Sequence, residues 1–163
     1  MYSLLARLAP LIRLGTRLQP FAHDALALTL RLLFGWQFFL TGRGKLQNLE
    51  RTTGFFDSLG IPAPGAHALA IGLLEMLGGL LLLAGATTRA TSTLLAGTML
   101  VALATAHRSE WTTDGLDGLF AAAPFPYLLA TLTLIVFGPG RASLDALISP
   151  RLQHACQPAS ARS

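Results

Sequence analysis

The chain predicts an all-α integral membrane protein: a four-helix bundle preceded by an interfacial amphipathic helix, with a short amphipathic connector between its first two spans. Three observations carry this. Of 163 residues, 52% are hydrophobic and 12% charged, about half the charge of an ordinary soluble domain, and the mean hydropathy is +0.54. The apolar residues are gathered into blocks near the length that crosses a bilayer. One block, Ala66 to Ala86, holds Glu75 near its middle and no other ionisable group beyond His67 at its start.

Four spans follow in order, at about 25–41, 66–84, 90–106 and 119–137. Each approaches the roughly 20 residues that cover about 30 Å of hydrocarbon at 1.5 Å per residue. The first carries one charge, Arg31; the third and fourth carry none. Pro124 and Pro126 fall near the start of the fourth, where their missing N–H groups cost least; a break between a re-entrant piece and the helix proper is the alternative. These spans make one membrane domain over 24–147, flanked by an arm over 1–23 and a polar tail over 148–163.

The flanking segments have their own patterns. In the arm, Leu4, Leu5, Leu8, Leu11, Ile12 and Leu18 fall opposite Arg7, Arg13 and Arg17, with Pro10 interrupting the pattern. That is the face pattern of a helix lying on anionic headgroups. Between the first two spans, Leu46, Leu49, Phe55, Phe56, Leu59 and Ile61 are interleaved with polar residues up to Gly60-Ile61-Pro62. A short helix is expected there, on the membrane surface or folded back over the bundle.

Charge sets the expected orientation and excludes several partners. An even number of spans leaves both termini on one side. That side holds Arg7, Arg13, Arg17, Arg89, Arg141, Arg151 and Arg162, against Arg43, Lys45, Arg51 and Arg108 on the other; more bases mark the cytoplasmic face. No Ala-x-Ala cleavage pattern follows the first span, which therefore reads as an uncleaved helix. The sequence pI near 10.2 arises from bases beside apolar blocks, a pattern that suits lipid headgroups rather than nucleic acid. Cys156 is the only cysteine, so no dithiol forms within the chain. His23, His67, His107 and His154 are too scattered for a metal site.

Helical spacing directs the two intramembrane charges. Ala68, Gly72, Glu75 and Gly79 share a face of the second span, and Arg31, Gly35, Phe38, Gly42 and Lys45 share a face of the first. Small residues let helices approach, so both charged faces turn toward the bundle. Placing the start of the first helix near Ala25 puts Arg31 and Glu75 within about 5 Å in depth, and an Arg31 to Glu75 ion pair is expected. Arg31 reaching the headgroups is the alternative. An intramembrane carboxylate costs about 2.5–3.5 kcal/mol on insertion scales, which makes Glu75 a candidate proton or ligand site. The same pair could instead only specify helix packing. His107, at the end of the third span, is a candidate relay or quinone hydrogen-bonding group, or simply an interfacial histidine. Trp111 and Tyr127 suit an aromatic belt, and Thr91, Thr98 and Thr105 suit hydrogen bonds between helices. No hydrolase motif, phosphate loop, haem ligand pair, or flavin or nicotinamide fingerprint is present.

Taken in order, Arg31 with Gly35 and Phe39, Gly42 and Lys45, Phe55-Phe56 through Leu59-Gly60-Ile61-Pro62, Glu75-Met76-Leu77-Gly78-Gly79, Gly85, Thr88-Arg89, His107, and Gly138-Pro139-Gly140-Arg141 with Ser143-Leu144-Asp145 resemble the DoxX family of four-helix bacterial membrane proteins. The resemblance covers about Leu28 to Leu147. It implies an inner-membrane location and association with oxidoreductases, since family members include small membrane subunits of quinone-reducing systems and partners of redox-stress enzymes. Glu75, Arg31 and His107 would then line a quinone or proton site, with electrons supplied by a partner subunit. The competing expectation is a non-catalytic scaffold or stress-response anchor. A proton-coupled small-solute transporter is a further reading; four spans without an inverted repeat would need a homo-oligomer to complete it.

Overall fold

The computed structural model describes residues 2–148, with side chains from Leu18 onward. Every regular element among them is helical: α1 (Tyr2–Gln47), α2 (Leu49–Ser58), α3 (Pro64–Ala84), α4 (Thr88–Ala104), α5 (Arg108–Ala121) and α6 (Pro124–Phe137). Of the arm expected over 1–23, the side chains up to residue 17 lie outside the described residues, as does the tail beyond Ile148, Cys156 included. Helix α1 packs along α3, α3 on α4, α4 on α6 and α6 back on α1, which closes a four-helix ring; α2 lies on α3 and α5 touches α6.

Glycines set the closest contact. A Cβ at Gly42 would overlap the backbone of Met76 and lie 2.7 Å from the Gly72 carbonyl, and one at Gly35 would meet the Gly79 carbonyl at 3.0 Å. With no side chain between them, the α1 and α3 backbones touch directly. Outside this seam, Leu26, Leu33, Trp36, Leu73, Leu77, Leu80, Leu94, Leu100, Leu129 and Val136 are exposed. A surface this apolar around a ring of helices is the surface of a membrane protein.

The element lengths are unequal. The Leu18–Gln47 part of α1 and the 21-residue α3 are long and apolar enough to cross a bilayer. Helix α4 has 17 residues and α6 only 14, so the fourth apolar block begins at Pro124 instead of near residue 119. The reason is local. Pro124 and Pro126 lack the N–H groups that a continuous helix would direct to the carbonyls of Phe120 and Ala122, and Ala122 is extended. Leu119 and Phe120 therefore belong to α5, which is bent 99° from α4 and broken at Gly115, whose φ of 63° favours glycine. Trp111 holds this corner by donating its indole N–H to the Leu103 carbonyl at 2.9 Å.

The α3–α4 turn is tightly specified. Gly85, at φ 67°, ends α3; its N–H donates to the Leu82 carbonyl and that of Ala86 to the Leu81 carbonyl, at 3.0 and 2.9 Å. Both bonds together form a Schellman cap. Across the turn, the Asp145 carboxylate accepts from the N–H groups of Thr87 and Thr88 at 2.7 and 2.8 Å, capping α4.

Candidate functional site

Glu75 is 2% exposed, and its partner is Lys45, not Arg31. Lys45 Nζ donates to Glu75 Oε2 in a short, charge-assisted contact. The glycine seam explains the choice. With Gly35 level with Gly79 and Leu83, and Gly42 level with Gly72 and Met76, Thr41 stands opposite Glu75. Lys45 is then one turn, about 6 Å, from the carboxylate in depth, while Arg31 is about 15 Å away. The expected Arg31–Glu75 pair assumed that the first helix starts near Ala25, whereas α1 has no end there. Lys45 lies on the same small-residue face as Gly42, and that placement was the signal available for it.

Arg31, also 2% exposed, binds backbone. Its Nε donates to the Leu82 carbonyl at 2.9 Å and its Nη2 to Leu83 at 3.0 Å. Its Nη1 donates to Pro139 and Ala142 at 2.9 and 2.7 Å. The first two acceptors are among the last carbonyls of α3, at its negative end; Leu82 also accepts from the capping Gly85 N–H. The other two belong to the turn after α6. One guanidinium thus joins three helices. It satisfies its donors within the protein, at the end of the bundle where α3 and α6 terminate. Nearby, Asp24 accepts from the N–H of Arg141 at 3.0 Å, and His23 bonds the Phe137 carbonyl at 3.1 Å.

Beside the Lys45–Glu75 pair the bundle opens into a cavity of about 280 Å³, lined by α1, α3, α4 and α6 and roofed by Phe55, Phe56, Leu59 and Ile61 of α2 and its following turn. Phe38, Ile71 and Met99 make its walls apolar. The polar groups on it are Thr41, Lys45, Glu75, Thr98, Thr105, His107 and Tyr127. His107 thus shares the cavity with Glu75, and its Nδ1 is 2.9 Å from the Glu110 carboxylate. Tyr127 faces inward, edge-on to Phe34 and Phe38 with ring centres 5.2 and 5.1 Å apart, instead of joining a belt with Trp111. The threonines bond within their own helix: Thr98 to the Leu95 carbonyl at 2.7 Å, Thr105 to Val101 at 2.7 Å, and Thr91 to Thr87 at 3.2 Å. They do not bridge helices, because an oxygen three or four residues back is always in reach of a helical hydroxyl. Among the described residues no cluster of His, Cys, Asp or Glu could hold a metal.

An all-helical ring with a lipid-type surface and a buried carboxylate paired to a lysine at an apolar cavity defines a helical membrane protein with a candidate ligand site. The DoxX family model matches residues 26–108, and the chain belongs to that family. It is 38% identical over 78 residues to the protein named "Putative oxidoreductase CatD" of Bacillus subtilis (strain 168), a match covering 48% of this chain and 57% of that one. The chain thus spans little more than half the length of that relative. It is 29% identical over 129 residues to "Inner membrane protein YqjF" of Escherichia coli (strain K12), covering 79% of this chain and 96% of the relative. No solved structure matches.

Proposed function

We propose that the chain is a small membrane subunit of a quinone-linked oxidoreductase or redox-stress complex, and that the quinone ring enters the cavity above Glu75. The observation that carries this reading is the Lys45–Glu75 pair, its carboxylate buried, in a roofed, mostly apolar cavity that His107 also lines. Apolar sites with a few convergent polar groups are the usual form of small-molecule sites. A quinone presents flat apolar faces and two carbonyl oxygens; Lys45 and His107 supply donors for those oxygens, and Glu75 accepts from the hydroxyl of the reduced form. Tyr127 and Phe38 offer aromatic edges to the ring. Electrons come from a partner subunit, which the oxidoreductase name of the Bacillus relative favours.

The closed ring of α1, α3, α4 and α6 and the distribution of bases support a four-pass bundle with cytoplasmic termini, and the Escherichia relative's name favours the inner membrane. The arm then meets anionic headgroups of the inner leaflet.

A thermal-stability titration of detergent-solubilised protein with a quinone analogue tests the site. Saturable stabilisation is expected, about 2.7 kcal/mol at a hundred times Kd, lost in a folded Glu75→Gln variant. A flat response in the wild type removes the quinone and leaves the scaffold reading.

A further inference from the structure

Lys45 borders two spaces. On one side is the cavity; on the other is an open groove between the end of α1 and α2, lined by Thr41, Gly44, Asn48, Arg51 and Thr52 together with Phe55 and Phe56. Within the groove, Thr52 donates to the carbonyls of Lys45 and Asn48 at 3.3 and 3.0 Å, and Asn48 to that of Gly44 at 3.1 Å. The groove thus combines Thr41, Asn48, Arg51 and Thr52 with the rings of Phe55 and Phe56, which it shares with the cavity. The pair itself is unevenly placed: the Lys45 side chain is 30% exposed and that of Glu75 is 3% exposed. Lys45 is the exposed partner.

Resting on the ligand reading of the cavity, we propose that the cavity floor exchanges protons with water through this groove, and that Lys45 passes them to Glu75. The transfer breaks an N–H bond of the ammonium and forms an O–H bond on Oε2, leaving a neutral amine and a neutral acid. The amine then takes a proton from water in the groove. One proton is taken up, one carboxylate is neutralised, and no electron moves. The reverse sequence releases the proton. The groups around Glu75 are consistent with this route. Lys45 comes from α1, Tyr127 from α6, and His107, bound to Glu110, from the α4–α5 corner; Arg51 stands in the groove. The α4 wall of the cavity presents Thr98, Met99, Val101 and Ala102, none of them charged, with Thr105 just beyond its last residue, and His67 of α3 is exposed two turns away. Lys45 is the charged residue that borders both spaces.

The test needs no quinone, so its outcome is separable from that of the titration above. Infrared difference spectra identify the Glu75 carboxylic acid as the carbonyl band lost in Glu75→Gln, and transfer to D2O times the exchange of its proton. A Cβ added at Gly44 or at Gly54 meets nothing within 4 Å, so Phe fits at either position, and Gly44 alone lines the groove. Gly44→Phe should slow the exchange about tenfold, equivalent to about 1.4 kcal/mol on the barrier, while Gly54→Phe leaves it unchanged. Asn48→Trp plugs the same groove if Gly44→Phe does not fold. Lys45→Met should slow exchange as well; a lysine that merely held the carboxylate in place would leave it as fast or faster. Wild-type exchange in the plugged variant would overturn the route. So would the absence of any Glu75 acid band over the pH range in which the protein stays folded, since Glu75 would then never take the proton.

Discussion

The two buried charges of the α1–α3 seam sit in contrasting surroundings. At one end, Arg31 directs its donors to four backbone carbonyls from α3 and the turn after α6, and the adjoining turns are closed by Asp145, Asp24 and His23. At the other, Glu75 meets a single side-chain partner and a cavity, and that partner also borders an open groove. Carbonyls that terminate helices cannot move without unwinding them, whereas a lysine on a flexible four-carbon stem can shift without disturbing its helix. The Arg31 end is therefore built to hold, and the Glu75 end to change. Position within a span does not distinguish these roles; the nature of the partner does.

Substitutions at the two ends should separate in size. Arg31→Leu should have the largest effect, because it removes four hydrogen bonds to carbonyls on two segments, the end of α3 and the turn after α6. At about 1.5–3 kcal/mol for each lost charge-assisted bond, the thermal midpoint should collapse, and Arg31→Lys should recover only part of it, since an ammonium cannot span the same fork. A melt within a degree or two of wild type for Arg31→Leu would erase the contrast.

Lys45→Met comes next. Stranding a buried carboxylate costs about 3–5 kcal/mol, less here because Lys45 is partly exposed. Lys45→Met combined with Glu75→Gln should restore most of the loss, giving a coupling above about 1 kcal/mol in a double-mutant cycle. Additive losses would mean that the two side chains act separately. Asp145→Ala removes the cap of α4 and should cost about 1 kcal/mol, with no effect on quinone-analogue protection because it belongs to the Arg31 end. His107→Ala should be smallest in stability, within about 0.5 kcal/mol, yet should weaken analogue protection. Equal protection in His107→Ala and wild type would take the histidine out of the site.

Much of this architecture was legible beforehand. The apolar blocks announced the helices, and the small-residue faces correctly turned Arg31 and Glu75 into the bundle. Pro124 and Pro126 marked a boundary, and their missing donors put a break at Ala122 where a single span was expected. The partner of Glu75 was the main error. Periodicity assigns a residue to a face but says nothing about its depth relative to a neighbouring helix. Without that register Arg31 and Lys45, both on the Gly35–Gly42 face, were equivalent claimants.

The chain by itself determined that it is an all-helical membrane protein, that Glu75 is buried, and that the connector carrying Phe55 and Phe56 is amphipathic. These follow from composition and from the 3.6-residue period, which are properties of single segments. Only the tertiary structure decided that Lys45 meets Glu75, that Arg31 caps α3, that α2 roofs a cavity, and that Lys45 stands between that cavity and an open groove. Each depends on how far one helix slides along another, and that displacement is set by backbone contact at Gly35, Gly42, Gly72 and Gly79, where close packing between two elements decides what no single segment can.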